Sequence, residues 1–136
     1  MNVNAVKTGL YSKLTGDSTL TALLSASTAV YDSTAPEGTD PPYVVFQKLD
    51  GQARHTMSGH AFTDSTFLVK AITDEPSKLI AGSIAERVDT LLADGSLTLS
   101  TGSQMVMRRQ QDIEYDERVD GRVLRHVGAT YLIGVQ

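Results

Sequence analysis

A chain of 136 residues with 16 acidic and 12 basic side chains carries a formal net charge of −4. That balance disfavours a tight nucleic-acid binder, which uses a basic face to displace counterions. The absence of cysteine excludes a disulfide framework, a thiolate metal site and a thiol nucleophile.

The length fits a single domain over 1–136. At this size folding buries roughly two thirds of the extended-chain surface, enough for a core without covalent staples. No apolar run approaches the ~18 residues of a bilayer-spanning helix. The opening MNVNAVKTGLYSK has neither the basic start nor the apolar block of a secretory signal. The expectation is no membrane partner and a reducing compartment. Aromatic residues make up 6% and tryptophan is absent, so no large stacking platform is expected.

Residues 2–15 place Val3, Val6, Leu10 and Leu14 on one helical stripe, with Lys7 and Lys13 off it. Gly16 ends that helix, and Asp17 or Ser18 caps a short second turn holding Leu20, Leu23 and Leu24. Ala29–Tyr31 reads as a short strand. Three prolines and a glycine across 32–42 predict an extended surface loop. Tyr43–Leu49 is β-branched and aromatic and follows two prolines, so it predicts a strand. Residues 50–60 are polar with two glycines and predict a long connecting loop. A strand at about 62–72 follows, with Phe67, Val69 and Ala71 on one face.

Thr73–Gly95 is the longest run with a helical period. Leu79, Ile80, Ile84, Val88, Leu91 and Leu92 recur at three- and four-residue steps, and Ala81 and Ala85 fill the same stripe. Lys78, Glu86, Arg87 and Asp89 take the other side. Asp74 is the expected N-cap, Glu75 and Pro76 suit the first turn, and Gly95 is the expected left-handed stop.

Leu97–Leu99 reads as a brief strand, and Gln104–Tyr115 and Arg122–Val135 as the last strand pair. Met105, Met107, Ile113, Tyr115, Val127, Tyr131 and Ile133 are all odd-numbered. For them to face one core the pairing must set odd against odd, through an odd-length turn or a bulge. Arg108, Gln110, Asp112 and Glu114 then share the opposite face. The element order implies an α+β fold: an antiparallel sheet with the central amphipathic helix and the N-terminal helix packed on one side.

Catalytic signals are weak. His55 and His60 are five apart in one predicted loop, a spacing that neither helix nor strand turns into a ligand pair. His126 beside Arg125 reads as a partly buried hydrogen-bonding residue. Asp116, Asp120 and Gly121 fit the first, fifth and sixth positions of a calcium loop, yet Arg118 stands third and Val127 twelfth. A solvated acidic turn, partly paired with Arg118, Arg122 and Arg125, explains the run better. No G-x-S-x-G, phosphate loop or dinucleotide fingerprint occurs. Neither a cofactor, a metal nor an enzymatic reaction is expected. A small-ligand or metal-dependent enzyme is the competing class, which a thermal shift with divalent ions would expose.

Several strings fall in a telling order: an N-terminal helix closed by a leucine-rich turn, then Val30–Tyr31 and a proline-bearing loop. Pro42–Phe46, the helix Ile84–Leu92, an acidic turn, Arg125–His126 and a closing strand follow. In this layout the chain resembles the tail-completion (tail-terminator) proteins of long-tailed bacteriophages over nearly its whole length. The resemblance implies a structural protein of the virion tail, assembled in the host cytoplasm. Flat subunits would close into a six-membered ring that caps the tail tube and meets the head-side connector. Six copies would carry about −24, a lumen through which DNA passes without sticking. The tube- or neighbour-contact candidates are Gln52, Arg54, His55, Met57 and His60. The lumen or interface candidates are Arg108, Asp112, Glu114, Asp116 and Glu117. The other assembly reading is a head-side connector or adaptor ring of the phage neck.

Overall fold

The computed structural model describes residues 3–57, 59–74 and 79–136. Two helices, α1 (Val3–Thr15) and α2 (Ser18–Thr21), precede strands β1 (Val30–Asp32), β2 (Tyr43–Thr56) and β3 (Gly59–Thr73). Helix α3 (Leu79–Leu92) then leads to β4 (Gln104–Val119) and β5 (Arg122–Val135). The described strands form one sheet in the order β1-β2-β3-β5-β4. β2, β3, β5 and β4 pair antiparallel, whereas β1 joins β2 in parallel. The sheet is therefore mixed, and the fold is α+β.

All three helices lie on one face. Val6, Leu10 and Leu14 of α1, Leu20 of α2, and Ile84, Val88 and Leu92 of α3 share a buried cluster. Its sheet side comprises Val44, Phe46, Phe67, Val69, Ala129, Tyr131, Ile133 and Val135. Burying an aliphatic or aromatic side chain of this size contributes about 1.5–3 kcal/mol, so this layer holds the helices to the sheet. Asp17 caps α2 by accepting from the Leu20 N–H, and grips α3 through two 2.8 Å bonds from Arg87 Nε and Nη2. These bonds to Arg87 hold the Asp17 carboxyl below its usual range. Asp17→Asn, which keeps a capping oxygen, should therefore lose less stability than Asp17→Ala, whose lost cap alone costs ~1 kcal/mol. Urea melts near neutral pH measure the ranking.

The central helix differs from its sequence reading at both ends. Its buried stripe is Ala81, Ile84, Val88 and Leu92, while Leu79 is 79% exposed and Ile80 is also exposed. The expected first turn at Glu75 and Pro76 lies outside the described residues, and Asp74 sits 3.8 Å from Arg122. The left-handed residue after the helix is Asp94, at φ 56°, instead of Gly95. Gly95 matters for a different reason. A Cβ there would strike the Leu91 carbonyl, so the chain passes close to the last turn.

Residues 50–56 and 59–60 are strand, not loop. They continue β2 and β3 into a long hairpin, with Thr56 opposite Gly59. Polar residues suffice because both faces there meet solvent, so no apolar alternation marks the strands. Leu97–Leu99 is not a strand. The Gln104 side chain takes the place of a partner strand, accepting from Leu97 N at 2.7 Å and donating to Gly95 O at 2.8 Å.

The last strand pair contains the expected bulge. β4 continues to Val119 and turns over Asp120 and Gly121, both at positive φ, as a two-residue hairpin turn requires. That turn pairs odd with even, as in Asp112↔Ala129 and Tyr115↔His126. The register shift between Arg109 and Gln111 then restores odd with odd, as in Met107↔Ile133 and Arg109↔Tyr131. Met107 is buried in the core as expected. Ile113 and Tyr115 instead face the helix-free side, and Asp112 and Glu114 turn toward the helices. The Met105 side chain lies outside the described residues.

Candidate interaction surfaces

Between α3 and the β4–β5 pair lies an open groove of about 560 Å³. Gly82 and Ala85 on the helix and Ala129 on the sheet leave it unfilled. Glu86, Asp89, Asp112, Glu114 and Arg109 supply its charge. Tyr131 donates its hydroxyl to Asp89 at 2.9 Å, and Arg109 lies 3.1 Å from the same carboxylate and pairs with Asp112. Burial and the Asp89 bond push the Tyr131 hydroxyl well above its ordinary value, so it stays a donor. These groups brace one another.

The helix-free face holds a smaller cluster of Val45, Ile72 and Leu124 flanked by Tyr31 and Tyr43. Beside it His126 is buried, with Nε2 3.0 Å from Glu117 Oε1 and its ring stacked on Tyr115 at 4.4 Å. Lys70 donates to the Tyr115 hydroxyl at 2.6 Å. Burial and the Lys70 charge outweigh Glu117 and lower the His126 pKa from its ordinary 6.5. A histidine kept neutral by the fold stabilises it above that ordinary pKa, and the contribution disappears as pH falls through the lowered value. The melting midpoint should therefore decline as pH drops below about 6.5. His126→Phe, which keeps the stacking and removes the titration, should flatten that slope in thermal melts.

The candidate residues named from the sequence fall into separate places. Gln52, Arg54, His55 and Met57 lie on the β2–β3 hairpin, exposed, and His60 pairs in register with His55. Arg54 reaches Asp64 at 3.1 Å. From Arg54 and Phe62 outward these strands pair only with each other, because β5 stops opposite Thr63. The hairpin is thus a two-stranded arm. Arg108 is exposed on the helix-free face and separated by the bulge from Asp112 and Glu114, which line the groove. Asp116 binds Arg125 at 2.7 Å, and Glu117 is held by His126. The groove itself was missed in the sequence, although a Gly82/Ala85 pair in a helix and Ala129 in a strand were visible there.

Among the described residues no group of three or more His, Asp or Glu side chains is placed to hold a metal ion. No described helix is long and apolar enough to cross a membrane.

The sheet has two unlike free borders. Among the described strands β4 has no strand partner on its outer side, although the Asp94 N–H donates to its Met107 carbonyl at 2.9 Å, and β2 is covered by β1 only at Val44–Phe46. A solved chain from the virion of a native gene transfer agent particle shares this fold with a TM-score of 0.81 at 25% identity. The match covers 98% of this chain and 96% of that one. A second solved chain, 12% identical, superposes with a TM-score of 0.65 over 100% of this chain and 96% of its own length. It bears on the fold alone. No curated protein matches. The family model described as tail completion protein gp17 matches residues 8–131, so this chain, with its helix-backed sheet and free borders, belongs to the tail-completion gp17 family.

Proposed function

We propose that this tail-completion protein acts as a homo-oligomeric ring of six that caps the finished tail tube and presents the joining surface to the head-side connector. It catalyses no reaction, and DNA passes through without sequence-specific contacts. The observation that supports the ring most directly is the pair of unlike free borders, β4 and the outer part of β2. Contacts between different patches repeat head to tail and close into rings when the rotation allows, whereas a two-fold dimer needs one self-complementary patch. Unpaired strand edges also attract further strands unless covered. The virion origin of the matched gene-transfer-agent chain fits a structural role in a particle.

Native mass spectrometry and electron microscopy of the protein mixed with tail tubes test the reading. The expected species is a ring of six times the 14.6 kDa chain mass, seated on tube ends. A chain that stays monomeric at every concentration and never decorates tubes would sink it. Association with filled heads in place of tails would favour a connector ring of the neck.

A further inference from the structure

We infer that the β2–β3 arm of one subunit docks in the α3–β4 groove of the next, so that the ring contact is an arm-in-groove joint. This rests on the ring reading above and specifies its contact. The occupant is a second copy of this chain because arm and groove are complementary and cannot meet within one molecule. The arm leaves the sheet past Thr63↔Val135, while the groove lies inward along the same sheet, over Val69, Ala129 and Tyr131.

Charge and shape support the pairing. Between Asp50 and Asp64 the arm has no acidic residue, and Arg54, though paired with Asp64 at 3.1 Å, keeps half of its side chain exposed. At its tip Met57 is fully exposed, with a relative accessibility of 107%. Among the described residues the groove offers four carboxylates against the Arg109 guanidinium, above a floor of Val69, Ala85, Val88 and Ala129. A flexible thioether suits such an irregular apolar floor, and the rim carboxylates suit the arm's half-exposed Arg54 guanidinium. β4, a free border, forms the groove's outer wall, so a neighbouring arm reaches it across that border. The two patches differ, which makes the joint head-to-tail and ring-closing.

The full chain has no cysteine, so in a Met57→Cys/Ala85→Cys chain every disulfide joins introduced thiols, and the two single variants, which should give no ladder, separate this contact from like-with-like links. The expected result is a ladder of disulfide-linked multimers on non-reducing gels, up to the ring number, that vanishes with reductant. Asp112→Lys, at a side chain 81% exposed, should weaken ring formation roughly tenfold or more through like-charge contact with the arm, well beyond the small loss of subunit stability expected from breaking its pair with Arg109, which thermal melts of the subunit read separately. Rings of the double-cysteine chain that give no inter-subunit cross-link under oxidation, together with rings that tolerate Asp112→Lys, would overturn the joint while leaving the ring reading intact. A disulfide confined to single chains would overturn it too, by showing the arm folded onto its own groove. A wild-type chain that forms no rings would overturn both.

Discussion

Ile84→Asp is expected to unfold the chain or to lower its stability by about 4 kcal/mol or more. Ile84 is 0% exposed, on the α3 face pressed against the sheet, inside the cluster that also holds Val88, Phe67 and Tyr131. A carboxylate there loses its hydration, and the surrounding cluster is apolar. The fold either keeps an unpaired charge in an apolar layer or raises the acid's pKa until it is neutral, and both cost several kcal/mol. Ile84→Val is the control. It removes one methylene at the same place and should cost ~1 kcal/mol. Urea unfolding of the two variants measures the contrast. If Ile84→Asp melts like the parent, α3 does not bury this face.

The second large effect is at Gly128, in the middle of β5. A Cβ there would collide with the Val69 carbonyl oxygen and stand 2.5 Å from Lys70 Cα. Both are backbone atoms of the neighbouring strand, so no side chain can swing away to make room. Gly128→Ala should thus cost about 3 kcal/mol or more by forcing β3 and β5 apart. Gly82, in α3, is the opposite case, because a Cβ there meets nothing within 4 Å. Gly82→Ala should stabilise the helix by ~0.5–1 kcal/mol, since glycine loses more backbone freedom on folding. A pair of thermal melts moving in opposite directions checks both. Equal, small shifts would contradict the close β3–β5 approach.

The two glycines are the same residue type in the sequence, and their environments set opposite signs. The same division runs through the molecule. Helical periodicity is a local property, so α1 and the buried part of α3 were legible from Val6, Leu10, Leu14, Ile84 and Val88. Turn chemistry is local as well, and Asp17, Gly16 and the prolines before Tyr43 marked their boundaries. The hairpin arm was not legible. Its strand residues Gln52, Arg54 and His55 are exposed, so no burial pattern separated strand from loop.

What the sequence by itself determined was the order of the helices and of the five strands that form, the apolar face of α3 and the family likeness. Each rests on the spacing of neighbouring residues along one segment. Only the tertiary structure decided which residues share a surface. One extra residue in β4, between Arg109 and Gln111, moves Ile113 and Tyr115 away from the core and brings Asp112 and Glu114 under α3. A strand's side chains alternate with period two, so a single bulge inverts everything beyond it. Where that bulge falls is set by pairing with β5, a contact between segments distant in sequence.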